Sequence, residues 1–167
     1  MEEIFVRRSI REFSNKKVES NKVEEILRAG MQAPTAGNQR AYKFVVIENK
    51  EVLKKLSNLS LYAAPIEKCS VAIVVLKDEN VARFPENLEQ DLGAVVENML
   101  LEAVYLELGA VWLGVSPLSE RMDFVVDVLK LQKGEVPYCV IPIGYPGENQ
   151  SNRFIDRYDE KKIRYIK

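Results

Sequence analysis

Histidine is absent from the chain. That absence removes Ser-His-Asp and Cys-His nucleophile systems and every zinc site that needs an imidazole. Cysteine occurs only as Cys69 and Cys139, too few for a thiolate-only zinc site, so no metal is expected. Each lies in an apolar run and they form no CxxC pair, so buried, reduced thiols in a cytoplasmic protein are expected. Charge of one sign is also lacking, since 24 Lys+Arg stand against 25 Asp+Glu. A broadly basic surface is therefore excluded, and with it nucleic acid as the main partner, because non-specific affinity needs many phosphate contacts.

Long uninterrupted apolar runs are missing as well. The most apolar window, Leu92 to Val115, is broken by Glu97, Glu102 and Glu107, which point in different helical directions, so no membrane span is expected. The opening Met-Glu-Glu has no apolar h-region and no signal peptide is expected. The dinucleotide fingerprint GxGxxG does not occur. Gly109 and Gly114 have the outer spacing of a phosphate loop, but Val115-Ser116 follow where Lys and Ser/Thr are required. Asp91 and Glu97 read as single solvated carboxylates or helix N-terminal charges, not as an acid–base pair. With side-chain catalysis so depleted, the chemistry points to a bound cofactor.

What is present is a chain of 167 residues, read as a single domain spanning 1–167. Near its start, Arg7-Arg8-Ser9-Ile10-Arg11 gathers three guanidinium groups around one hydroxyl. If that stretch is helical, Arg7 and Arg11 share a face. Planar arginine forks match phosphate oxygens better than lysine does, so the cluster is either a phosphate site or a solvated basic patch. Asn21 as N-cap with Glu24 at the N3 position predicts a capped helix over Val23, Ile26 and Leu27 that ends at Gly30. Ala33-Pro34-Thr35-Ala36-Gly37-Asn38-Gln39 is an irregular loop, either a plain connection or a pocket rim offering Thr35, Asn38 and Gln39.

Tyr42 to Ile47 predicts a strand, Lys50 to Leu56 a helix with Val52, Leu53 and Leu56 inward, and Val71 to Leu76 a central strand covered on both faces. Lys77 to Asn87 has room for a helical turn or two. Leu88 to about Leu108, ended by Gly109, predicts a helix apolar around much of its circumference, hence either a core helix or a subunit interface. Val111 to Val115 predicts a buried strand, and Ser119 is expected to cap a helix that stops near Gly134. Tyr138 to Ile143 predicts a strand in which Pro142 implies an edge position or a bulge. The charged tail beyond Arg153 is either frayed or, over Ile163-Arg164-Tyr165-Ile166, a strand if a partner supplies an edge. The fold class is α+β.

Taken in order, Arg7-Arg8-Ser9-Ile10-Arg11, Ala33-Pro34-Thr35-Ala36-Gly37-Asn38, Gln90-Asp91-Leu92-Gly93, Leu108-Gly109-x-x-Trp112-x-Gly114 and Ile143-Gly144-Tyr145-Pro146 resemble the FMN-dependent nitroreductase family along almost the whole chain. The resemblance implies a central, mainly antiparallel sheet flanked by helices, in an intertwined homodimer whose C-terminal segment crosses to the partner. It implies FMN as cofactor and NAD(P)H as co-substrate, with a hydride carried to a second small-molecule acceptor, a nitroaromatic or quinone, by a ping-pong route. A slow or non-catalytic dimer that stores, senses or delivers flavin would share the same binding residues.

By the same resemblance Arg7, Arg8 and Ser9 bind the FMN phosphate and ribityl chain, and Arg11 lies toward the N1 and C2 carbonyl side of the ring. Pro34, Thr35, Ala36 and Asn38 come from the partner, and Val111, Trp112, Leu113 and Gly114 touch the ring. Arg157, with Arg153 as the lesser choice, completes the phosphate site. Three departures stand out. Arg40-Ala41-Tyr42 replace a Gln-Pro-Trp, which makes Arg40 and Tyr42 candidate substrate contacts. Glu107 stands where the family usually has Gly. The chain is short for the family and Lys77 to Asn87 cannot hold a large helical excursion, so an open site is expected.

Overall fold

An unbroken apolar strand sends alternate side chains to opposite faces and so sets the sheet between two hydrophobic layers. In the computed structural model, which describes residues 2–167, β2 (Val71–Asp78) sends Val71, Ile73 and Val75 into one hydrophobic layer and Ala72, Val74 and Leu76 into the other. All six are buried, as the unbroken apolar run predicts for a strand covered on both sides. On the first face lie α2 (Ser20–Met31) and α5 (Leu88–Tyr105). On the second lie α3 (Lys50–Leu56), α4 (Pro65–Lys68) and α6 (Ser119–Leu129). A short α1 (Glu3–Val6) packs on α5.

The sheet is antiparallel throughout its five strands. Its order is β1 (Tyr42–Ile47), β2, β5 (Glu135–Gly144), then β3 (Gly109–Ala110), with β4 (Leu113–Gly114) also on β5. Of the strand expected over Val111 to Val115 only Leu113–Gly114 forms, and a further short piece, β3, stands just before that range. β1 and α3 have the expected bounds, and Asn49 Oδ1 caps α3 by accepting the N–H groups of Glu51 and Val52.

Pro142 is neither at an edge nor at a bulge. It pairs with Ala72 inside the sheet, while Ile143 next to it turns its carbonyl toward β2, accepting the Ser70 N–H at 3.1 Å. Neighbouring residues of a strand alternate sides, so Pro142 faces the gap between β3 and β4, where no ladder bond is lost. The bulge lies earlier: register shifts between Val75 and Leu76, leaving Tyr138 without a partner on β2.

Three helices also differ from expectation at their ends. Helix α2 has Glu19 as N-cap with no side-chain cap, because Val18 is buried and pinned by its N–H to Ser70 Oγ at 2.8 Å, so the helix starts immediately after it. Gly30 lies inside α2, and a Cβ there would fall 2.7 Å from Met99 Cγ, so it serves the close approach of α2 to α5 rather than the helix end. Helix α5 stops at Tyr105, well before Gly109. Ser119 is already helical; Leu118 holds the cap position of α6, which ends at Leu129 rather than near Gly134.

Candidate functional site: a cationic cleft between the chain ends

The stretch containing the three N-terminal arginines is extended from Arg7 onward, so no helical face gathers them. It adds instead to the sheet edge. Ser9 bridges Ala110, Ile10 donates its N–H to the Ala110 carbonyl at 3.0 Å, and the Ile10 side chain is buried. Gly109 makes room for it: a Cβ there would stand 2.6 to 2.8 Å from three atoms of Ile10. Farther on, Phe13 bridges Pro146 and Gly147 donates to the Glu12 carbonyl at 2.8 Å. The N-terminal segment is thereby laid beside the segment that follows β5.

That pairing brings both ends of the chain to one cleft of about 430 Å³, lined by Arg7, Arg8, Ser9, Arg11, Arg153 and Arg157. Its other wall is the polar run from Asn149 to Ser151, backed by Asn152, which sequence reasoning passed over. Asn152 Oδ1 accepts the Arg8 N–H at 3.0 Å while its Nδ2 donates to the Leu108 carbonyl at 3.2 Å. Gln150 Oε1 accepts the Arg11 N–H at 2.7 Å, and Arg153 donates its N–H to the Val6 carbonyl at 2.7 Å. The only advance signal was the cluster of amides just after Gly147.

Positive charge in the cleft is poorly balanced. Among the described residues only Arg7 has a carboxylate partner, Glu97 at 3.4 Å. Glu97 is therefore not simply a solvated charge. Arg8 donates to the Arg7 and Phe5 carbonyls, yet its Nε is buried with no acceptor. Partial burial first, then the nearby charges of Arg157, Arg7 and Arg153, hold the Arg8 guanidinium below its ordinary proton affinity. A buried donor without an acceptor amid like charges is costly, and an oxyanion relieves both faults at once.

The other sequence-predicted residues lie apart from this cleft. Pro34, Thr35, Ala36 and Asn38 belong to a loop with a short 3-10 turn, Ala36–Asn38, and none of them lines the arginine cleft of the same chain. Two buried polar residues hold the loop. Asp91 accepts the Ala36 N–H at 2.9 Å and Gln39 Nε2 at 2.6 Å; Gln39 Oε1 in turn accepts the N–H groups of Arg83 and Phe84. Asp91 is thus a buried acceptor, and the reading of it as solvated is corrected. Arg40 is exposed with φ of 48°, its N–H bound to Thr35 Oγ1 at 3.1 Å. Tyr42 donates its hydroxyl to the Met31 carbonyl; burial raises its pKa, opposed by the Arg40 charge.

From the end of β3 through β4, Val111 and Leu113 are buried while Trp112 and Gly114 are open to solvent, with nothing within 4 Å of where a Gly114 Cβ would be. Trp112 leans on the bulged Tyr138, their ring centres 5.7 Å apart. Tyr138 donates to the Glu89 carbonyl, and burial pushes its pKa to about 12. Beside them Lys77 pairs with Glu89 and donates to Ser116 Oγ at 2.9 Å, which donates to Glu89 at 2.8 Å. Burial favours protonated Glu89, but these donors and the Lys77 charge outweigh it and lower the pKa.

The fold and the cleft define, as a class, an α+β protein whose sheet edge carries an unbalanced cationic cleft built from both chain ends. The chain belongs to the Nitroreductase family, whose profile matches residues 4–80 and 61–145. A protein of Archaeoglobus fulgidus, provisionally named an NADH dehydrogenase/NAD(P)H nitroreductase, is 37% identical over 162 residues, covering 96% of this chain and 93% of its own. A Clostridium acetobutylicum crystal structure, provisionally called an NADH oxidase, is 50% identical with a TM-score of 0.96 and covers 99% of both chains. A Desulfovibrio desulfuricans structure, provisionally called a nitroreductase and in complex with FMN, is 28% identical with a TM-score of 0.83, over 99% of this chain and 95% of that one.

Proposed function

We propose that this chain is an FMN-dependent oxidoreductase that takes a hydride from NAD(P)H and passes electrons to a second small acceptor, a nitroaromatic or quinone, by a ping-pong route. The observation that carries the reading is the buried, acceptor-less Arg8 Nε in a cleft where guanidinium groups from both chain ends converge and, among the described residues, a carboxylate answers only Arg7. Arg7, Arg8, Ser9 and Arg157, helped by Arg153, would hold the phosphate and ribityl chain, since guanidinium forks donate paired hydrogen bonds to phosphate oxygens. Arg11 would place a positive charge at the N1 and C2 side of the ring, where a cation favours the reduced, anionic flavin. The bound flavin supplies the hydride chemistry that a chain without histidine lacks.

The working unit in this reading is a homodimer. A groove of about 370 Å³ between α1, α2 and α5 is lined by Ile4, Ala29, Leu101 and Tyr105 among others, and Ile4, Phe5 and Tyr105 are exposed. Such an apolar surface suits a second copy, which would bring its Pro34, Thr35, Ala36 and Asn38 to the cofactor. The backbone of Val111, Trp112, Leu113 and Gly114 would lie along the ring, and Arg40 and Tyr42 would face the acceptor. Among the described residues no helix is long and apolar enough to cross a membrane; a soluble pyridine nucleotide as donor fits the cytoplasm.

Purified protein should be yellow, should run as a dimer, and should bleach with NADH or NADPH in the absence of oxygen. Turnover on adding menadione or a nitroaromatic separates catalysis from flavin storage. A colourless protein that takes up no added FMN overturns the reading. Arg8→Ala should lower FMN affinity about ten-fold or more, the worth of one charge-assisted contact, and Arg8→Lys should restore it only in part because lysine lacks the fork.

A further inference from the structure

On the other side of the N-terminal segment lies a second cleft, of about 370 Å³, lined by Lys16, Lys17, Lys50 and Lys68 with Glu48 as its one carboxylate. Four pieces of chain form it: residues 14–17, the end of β1, the start of α3, and the junction of α4 with β2. None of its residues lines the arginine cleft. Lys17 is answered by Glu48 at 3.6 Å, and Lys16 is drawn toward Glu19 at 3.9 Å and the Tyr145 ring at 3.7 Å. Two cations remain. Lys50 gives one donor to the Cys69 carbonyl at 2.9 Å, keeping two of its three. Among the described residues Lys68 has no hydrogen-bond or ion-pair partner.

Two hydroxyls share this wall. Ser70 Oγ accepts the Val18 N–H at 2.8 Å and Ser14 Oγ accepts the Lys16 N–H at 3.4 Å. Each oxygen is held in place as an acceptor, and its own O–H stays available to donate. Two ammonium groups and two hydroxyl donors, with no free carboxylate among them, suit a small dianion rich in acceptor oxygens. Lysine heads serve as point charges for phosphate.

We propose that this cleft binds the phosphate group of a monoester, with Lys50 and Lys68 as charge partners and Ser14 and Ser70 as hydroxyl donors. Two sources share that chemistry: a free phosphorylated compound, or the 2′-phosphate of NADPH. The second source rests on the proposed oxidoreductase activity. Ser14 follows Arg11 by three residues, so the two clefts meet the N-terminal segment within about 10 Å of chain.

The test is calorimetric titration of the flavin-loaded protein with inorganic phosphate and with adenosine 2′-monophosphate at low ionic strength. Lys50→Gln with Lys68→Gln should weaken both about ten-fold or more, whereas Lys50→Arg with Lys68→Arg should retain them. Lys68→Gln alone, altering a head that holds nothing in the fold, should shift affinity in the same direction. Flavin content should stay at the wild-type level in all of these, which separates this cleft from the arginine cleft. If the glutamine pair raises KM for NADPH but not for NADH, the nucleotide is the source. If phosphate binding is lost and both KM values stay, a free phosphorylated compound is. No heat with either probe, or affinities unmoved by the glutamine pair, overturns the proposal.

Discussion

At Glu107 the backbone turns left-handed, with φ of 62°, where side chains are disfavoured. The reason is the ending of α5: Leu108 donates to the Ala103 carbonyl at 2.7 Å and Glu107 to the Val104 carbonyl at 3.0 Å. This is the Schellman pattern, in which the residue at Glu107 is ordinarily glycine. The Leu106 carbonyl is satisfied separately by Lys22 Nζ at 2.8 Å. Glu107→Gly should therefore stabilise the protein by about 1 kcal/mol, read as a higher urea midpoint at unchanged slope; a lower midpoint would show that the carboxylate contributes more than the strain costs. Gly109 presents the opposite case. Gly109→Ala sets a methyl against Ile10, whose branched Cβ cannot swing away, and should cost about 1–3 kcal/mol as an overpacked contact. Since Ile10 anchors the segment between Arg8 and Arg11, the same variant should also lose flavin, measurable as a fall in the visible absorbance per chain.

Among the elements, α5 does the most to join fold and site. One side of it supplies buried Leu92, Val95, Val96, Met99 and Ala103 to the core, while Leu101 and Tyr105 line the outer groove. From its first turn Asp91 reaches the 33–40 loop and answers the half-buried Ala36 N–H and the buried Gln39 amide. Asp91→Ala leaves the Ala36 N–H without an acceptor and Gln39 Nε2 with the Phe84 carbonyl alone at 3.2 Å, and should destabilise by about 1–3 kcal/mol, with Asp91→Asn costing less because one carbonyl oxygen remains. Thermal unfolding of the two variants gives the order; equal midpoints would show that the loop is held without Asp91. This hub escaped the sequence because nothing local distinguishes a buried carboxylate from a solvated one at a helix start. The strand runs, by contrast, were legible: Tyr42–Ile47 as a stretch of β-formers, although at the sheet edge it is mostly half-buried, and Val71–Leu76 as an unbroken apolar run that demands burial on both faces. Pro142 was misplaced because proline's missing donor matters only if a neighbour needs it, and which neighbour stands there is a property of the sheet.

For the molecule as a whole, two buried thiols set a limit at alkaline pH. Burial raises Cys69 from 9.0 to about 11, and raises Cys139 well above its ordinary value, although backbone donors oppose this in both. These groups are neutral when protonated, so the folded chain keeps a proton that the unfolded chain gives up. Their contribution is complete below pH 9 and is lost as pH climbs through the folded value. Stability should fall between pH 9 and about 11, by about 1.4 kcal/mol per pH unit for each thiol. Denaturant titrations across that range check it, and Cys69→Ala should flatten the slope; an unchanged slope in that variant would assign the loss to other groups.

Composition and spacing settled which chemistries this chain can perform unaided, and they did so through absences: no histidine and few thiols. They also set the core strands and helices, because a run of apolar side chains must be buried whatever its partners are. Whether Arg7, Arg8 and Arg11 form a site with Arg153 and Arg157 was not a local matter. Guanidinium groups some 140 positions apart meet because Ile10 is seated over Gly109 and Glu12 is paired with Gly147. Such long-range closure is paid for by burial and backbone hydrogen bonds that exist only once the sheet is assembled.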